Sequence, residues 1–246
     1  MKIKPIHVGD TKYQLHELTF HDTVKISRIP EQHNEQRITA FLCAVLRNDT
    51  LPLQMTVQER YYLLMHYLDT QTDTVISNKR PYKNYMLASQ QPFKTQAEFG
   101  NATCRQLTGR DAETLESLCT EIGDWFVGAM ALQLNSPDVP NLPPLPAADC
   151  TDDVLIESLK ARAEVLKTLP QSQFNLFYGV YAHMQDEMAT LCRLSFDDDG
   201  FTVLGGTDDA PARFRPAAAL TGLAYQLDRY SAAKGWPIGG GHADDV

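Results

Sequence analysis

Within these 246 residues no uninterrupted apolar run approaches the roughly 20 residues that a membrane span requires. The N-terminus, MKIKPIHVGD, carries two lysines but neither an apolar core nor a small-residue cleavage site, so it does not read as a secretory signal and synthesis in the cytosol is expected. Basic charge is scarce: 22 Lys and Arg stand against 31 Asp and Glu, for a net charge of −9. Phosphate binding needs clustered Lys and Arg, so nucleic acid is not expected as the main partner. Cysteine is sparse and scattered. Cys43, Cys104, Cys119, Cys150 and Cys192 are odd in number and form no CxxC pair, which suits neither a disulfide framework nor zinc. Reduced structural thiols are expected, with Cys43 in an apolar helical stripe and Cys119 on a long helix. Reactive motifs are missing as well. No serine lies in a GxSxG elbow, no loop has the GxxxxGK[ST] pattern, and no two histidines have the HxxxH spacing. These absences point away from an enzyme and leave no residue to assign to catalysis, a cofactor or a metal.

What is present is ordinary globular composition, 43% hydrophobic and 22% charged, with strong helical patterning. The stretch MTVQERYYLLMHYLDTQ organises the N-terminal half. Thr56 and Glu59 form a capping box, and Val57, Tyr61, Leu64, Met65 and Leu68 make one inward stripe. Its partner is Arg37 to Leu46, where Ile38, Phe41, Leu42, Val45 and Leu46 repeat the spacing. Upstream, Lys2 to Leu18 reads as a hairpin across Gly9-Asp10, followed by a short helix capped at Thr19 and ended by Pro30. Thr72 to Asn101 is weakly patterned, with short strands at Val75-Ile76 and Tyr82 to Leu87, and Lys79, Arg80 and Lys83 in an exposed loop or hairpin. A strand over Ala102 to Leu107 then leads into one long helix capped at Thr108 and running through Leu115, Ile122, Trp125 and Met130, with Gly123 and Gly128 marking close backbone packing.

Five prolines in NSPDVPNLPPLPAAD, Asn135 to Asp149, forbid regular helix and favour an extended spacer, or an arm laid over a neighbouring surface. The domain boundary falls here. Beyond it come a helix capped at Thr151, a second over Ser172 to Cys192 with a core stripe of Phe174, Phe177, Tyr178, Tyr181, Met184, Met188 and Leu191, a hairpin turning at Asp197 to Gly200, and a final helix opened by Pro216. The expected architecture is α+β and mostly helical, with short antiparallel hairpins. Residues 1–134 form one helical subdomain, 135–150 a Pro-rich linker or arm, 151–234 a second subdomain, and 235–246 a tail too glycine-rich to fold alone. If arm and tail dock on neighbours, the contacts are Pro140, Leu142, Pro143, Pro144 and Leu145 in the arm and Trp236 and Pro237 in the tail.

Two constellations invite chemistry. Setting Gly200 at the invariant glycine of a calcium loop puts Ser195 at the first ligand and Gly206 where a bidentate glutamate is needed, so Asp197 to Asp199 reads as a solvated turn. His183 with Asp186 and Glu187 places imidazole and acid one helical turn apart, but no third ligand lies nearby.

The opening hairpin with YQLHELTFHD, then HNEQRITAFLCAVL and the TVQERYYLL helix, resembles the N-terminal region of tail and baseplate assembly proteins of contractile-tailed bacteriophages. CRQLTGRDAETLESL looks like a second occurrence of the same step, aligning Leu18 with Leu107, Thr19 with Thr108 and Asp22 with Asp111. The resemblance implies a virion or assembly component that contacts other tail and baseplate proteins in multiple copies within a symmetric assembly. It implies no catalytic residues, cofactor, nucleic acid or membrane. The alternatives are a cytosolic tail-assembly chaperone absent from the mature particle, and a soluble carboxylate-dependent hydrolase built on His183 and Asp186.

Overall fold

The computed structural model describes residues 3–70, 82–87, 92–205, 210–220 and 229. It is an α+β fold with eight α-helices and three small antiparallel sheets among the described residues. The strands β1 (Ile6–Val8) and β2 (Thr11–Tyr13) form the first sheet, turning at Gly9 with φ +52°, a left-handed backbone that glycine adopts without steric cost. Helices α1 (Phe20–Arg28), α2 (Asn34–Leu46), the short α3 (Leu51–Gln54) and α4 (Val57–Thr70) follow. The segment Tyr82–Tyr85, expected as strand, is a 3-10 turn. The positions Val75-Ile76, Lys79 and Arg80 lie outside the described residues.

The second sheet has the order β3 (Gln96–Phe99), β4 (Ala102–Arg105), β5 (Leu134–Asn135). Between β4 and β5 the expected single helix is two, α5 (Gly109–Leu118) and α6 (Ile122–Gln133), because the chain is extended at both Cys119 and Glu121. Cys119 thus ends a helix instead of sitting inside one. Gly128 does mark close packing, since an added Cβ would lie 2.6 Å from the Leu115 side chain, but a Cβ on Gly123 would meet nothing within 4 Å. Helices α7 (Asp152–Lys167) and α8 (Gln171–Met188) precede the third sheet, β6 (Arg193–Asp197), β7 (Gly200–Gly205), β8 (Ala210–Ala212). The last strand is one that Pro211 hid from sequence reading. A 3-10 turn at Pro216–Ala219 stands at the start of the expected final helix, most of which lies outside the described residues together with the tail and its Trp236 and Pro237.

Three capping boxes order the N-terminal half. Thr19 with Asp22, Thr56 with Glu59, and Thr108 with Asp111 each exchange hydroxyl and carboxylate for the backbone N–H groups that a helix start leaves orphaned. The two aligned steps share this geometry. The starts of α4 and α5 also lie side by side: Val57 N–H donates to the Leu107 carbonyl at 2.9 Å and Gly109 N–H to the Met55 carbonyl at 2.8 Å. Gly109 is required at this crossing, where a Cβ would overlap the Arg60 guanidinium and the Pro52 carbonyl. Gly109→Ala is expected to cost about 2 kcal/mol through overpacking, read as a lower midpoint in urea.

Helix α4 is buried on more than the expected stripe. Leu63 and Tyr67 join it, and so do Gln58, Glu59 and Arg60. Phe41 of α2 meets Tyr67 edge-on at 5.0 Å, and Gln58 donates to the Met188 carbonyl while accepting from the N–H groups of Thr190 and Leu191. One contiguous apolar cluster therefore draws on residues from Ile3 to Leu220. The Pro-rich segment does not separate two cores.

Candidate interaction surface

The Pro-rich segment is a strap held to its own chain. Val139 is buried and Leu142 packs on the core. Arg162, wholly buried on α7, donates to the Ala131 carbonyl at 2.5 Å and to the carbonyls of Leu134 and Pro143, and no carboxylate joins its bonded partners among the described residues. Burial, and then Arg105, draw its pKa down to about 10. Two of those carbonyls sit at the C-terminal end of α6, where a cation also meets the negative end of the helix dipole. At the far end, Arg110 of α5 donates to the Cys150 carbonyl at 2.5 Å and to Asp152 at 2.8 Å. Of the residues expected to make contacts, Pro143 and Leu142 are thus committed inward, Leu145 is half-buried, and Pro140 and Pro144 are exposed.

Pro140 lines an open groove of about 540 Å³ between the strap, the β3–β4 turn and α8. Its walls include Phe99, Leu176, Phe177 and Val180, and Asp138 is the one charged residue among them. Phe99 is 50% exposed and Leu176 65%. The expected core stripe of α8 is therefore only half realised. Tyr181, Met184 and Met188 are buried, but Phe174 and Phe177 are half-buried and Tyr178 is exposed. A second, smaller cleft of about 230 Å³ lies between α8 and the third sheet, walled by Phe126, Tyr178, Phe196 and Phe201. The amides there are already bonded: Tyr181 donates to Gln133 at 2.7 Å, Gln133 to the Arg105 carbonyl and Gln185 to Cys104.

Ionisable side chains gather where helices begin or where they are wholly enclosed. Helix α2 has no side-chain cap of its own, and Glu116 of α5 supplies one, accepting from the N–H groups of Glu35 at 2.7 Å and Gln36 at 3.2 Å. Helix α6 also lacks a local cap, and Asp198 accepts from Ile122 N–H at 2.9 Å. The aspartate turn is thus a docked cap, and Asp197 is paired with Arg213. Sequence reading placed no charge at the centre of the α2–α4 pair. The structure puts Glu35 there, accepting from Tyr61 at 2.6 Å and from Arg60 at 3.3 Å, all three buried. Burial pushes the Glu35 carboxyl up, and Arg60 and Tyr61 oppose the shift. The missed signal was a glutamate in the first turn of α2 facing an arginine in the first turn of α4.

Among the described residues no hydrogen bond joins His183 to Asp186 or Glu187, although its charge, after that of Lys94, lowers the Glu187 carboxyl. The His183 ring meets Phe99 at 5.0 Å, and Glu187 pairs with Lys94 at 2.5 Å, which holds that carboxyl below its usual range. Asp186 borders the smaller cleft while His183 does not. His66 has its Nε2 buried without a hydrogen-bond partner among the described residues. Burial raises the thiols of Cys104 and Cys119 to about 12 and that of Cys192 still further, so all three are protonated at neutral pH. Among the described residues no helix is long and apolar enough to cross a membrane. Compared with known protein families, with curated proteins and with solved structures, the chain finds no match.

Glu116 gives the molecule a pH dependence. Burial first, and then the charges of Glu35 and Glu113, raise its pKa to about 7 against the pull of the two N–H groups it caps. A carboxyl raised in the fold holds more protons there than in the unfolded chain, so its contribution is fully present below about pH 4.5 and is lost as pH rises through 7. Melting temperature should fall between pH 6 and pH 8, and Glu116→Gln should flatten that slope. An unchanged slope in the variant would remove Glu116 as its source.

Proposed function

We propose that this chain is a structural or assembly component of a phage tail baseplate, made in the host cytoplasm and acting through contacts with other tail proteins. The open, largely apolar groove beside the strap is the observation that carries the reading, because it offers surface for a neighbour and little charge with which to do chemistry. Glu59, Asp111, Glu116 and Asp198 cap helices, and Glu35, Glu187 and Asp197 pair with cations, roles that suit a scaffold. The likeness of YQLHELTFHD and CRQLTGRDAETLESL to tail assembly proteins supplies the biological setting. Quantitative mass spectrometry of purified tail particles tests it: stoichiometric presence is expected. Presence in assembling cells with loss from mature particles would favour the assembly chaperone. Turnover abolished by substituting both His183 and Asp186 would favour the hydrolase.

A further inference from the structure

The smaller cleft, between α8 and the third sheet, combines aromatic rings with acceptors that lack a donor. The rings of Tyr178, Phe126, Phe196 and Phe201 follow one another in its walls, with successive centroids 6.4, 5.2 and 5.0 Å apart. Glutamine amides share those walls, and their nitrogens already donate: Gln58 and Gln106 to the Met188 carbonyl, Gln133 to the Arg105 carbonyl and Gln185 to the Cys104 thiol. The oxygens divide. That of Gln58 accepts from the Thr190 and Leu191 N–H groups, and that of Gln133 from Tyr181. Those of Gln106 and Gln185 accept from no donor among the described residues, although Gln106 is only 6% exposed. An enclosed amide oxygen without a donor is costly, and a bound donor would relieve it. Asp186 is the one charged residue in the walls, and its carboxylate has no hydrogen-bond or ion-pair partner among the described residues.

We propose that this cleft is a binding site for a guanidinium, presented as an arginine side chain by a partner chain. A cation is drawn both to aromatic ring faces and to a lone carboxylate. The unmatched oxygens of Gln106 and Gln185 call for a ligand that donates. A guanidinium is planar, carries five N–H donors and no acceptor, and stacks on aromatic faces, whereas an ammonium is a compact, strongly hydrated charge. Size and charge then fix the source. At about 230 Å³ the cleft is smaller than the roughly 300–1,000 Å³ that takes a drug-sized ligand, which suits a single side chain. A free amino acid would bring a carboxylate that Asp186 repels and that no Lys, Arg or His in the described walls would meet. An arginine within a polypeptide brings none. A partner with exposed arginines is also steered toward a chain of net charge −9. The site goes beyond the assembly reading and does not depend on it.

An NMR titration of the full chain tests the site, with N-acetyl-arginine amide standing for the side chain in a polypeptide. Binding with a Kd on the order of 1 mM is expected, with the resonance shifts centred on the rings of the cleft. N-acetyl-citrulline amide has a neutral urea in the same shape and should bind at least about tenfold more weakly, and N-acetyl-lysine amide should also bind more weakly. Free arginine should bind less tightly than its blocked form. Asp186→Asn should weaken the blocked arginine about tenfold, and Tyr178→Leu should weaken it as well. Both side chains are exposed, so helical circular dichroism should be unchanged. No shifts at the cleft, a citrulline or lysine derivative bound as tightly as the arginine one, free arginine bound more tightly than its blocked form, or an unaltered affinity in Asp186→Asn would each overturn the proposal. No tail particle enters the measurement, so its outcome and that of the particle analysis are independent.

Discussion

Arg162→Ala should lower the stability of the chain by about 3 kcal/mol and open the strap to protease. The guanidinium is enclosed and is bonded to the Ala131, Leu134 and Pro143 carbonyls, so truncation leaves these acceptors without their donor and a void in its place. Each unsatisfied buried acceptor costs on the order of 1–3 kcal/mol, and release of Pro143 into water recovers part of that. For a chain of this size the change corresponds to a fall in melting temperature of about 6–12 °C. The local consequence is more specific. Limited proteolysis should spare 135–149 in the wild type and cut there first in Arg162→Ala, because the strap loses the bond at Pro143 while Arg110 still holds its far end at Cys150. Arg162→Lys keeps the charge but lacks the planar fork that reaches several carbonyls at once, and should fall between the two. Equal protease resistance in wild type and Arg162→Ala would show that the strap is held by something else.

The second large effect is expected at Glu35 and Arg60. Glu35→Gln keeps the shape of the side chain but removes the charge that faces a guanidinium with no exposure, and the cost should be about 3–5 kcal/mol. Arg60→Met should cost a similar amount, because Glu35 would remain enclosed with Tyr61 as its donor and the Pro52 carbonyl would lose its own. Replacing both by apolar residues removes the two charges together, so the double variant should cost well under the sum of the singles. Urea denaturation of the four proteins measures the coupling. Burial favours the neutral acid at Glu35 while Arg60 favours the carboxylate, and the cycle decides between them. A Glu35→Gln cost below about 1 kcal/mol would mean that the carboxyl is protonated in the fold and that no ion pair exists to break.

Local signals carried most of the secondary structure. Thr19, Thr56 and Thr108 with an acid three residues on are capping boxes whatever surrounds them, because donor and acceptor lie within a single helical turn. The Arg193 to Leu204 hairpin was legible for the same reason, its alternation closing over Asp198-Asp199. The break between α5 and α6 escaped notice because Ile122, Trp125 and Met130 continue the apolar pattern across it, and periodicity alone does not register a change of axis. The α8 stripe misled in the opposite way. Phe174, Phe177 and Tyr178 look like core residues, but burial depends on whether another element covers them, and among the described residues none fully does. Of the expected contact residues, Pro140 reached the groove while Leu142 and Pro143 turned inward, a difference made by Arg162 from a helix 19 residues further along.

Helix starts, turns, acidic balance and the stiffness of the Pro-rich segment follow from neighbours in the chain, since each rests on interactions that span a few residues. The remote caps Glu116 and Asp198, the enclosed Glu35 and Arg60, the strap clasped by Arg162 and the open side of α8 arise between residues tens of positions apart. A buried charge or a bare face depends on what the folded chain brings beside it, and that is a matter of three-dimensional packing.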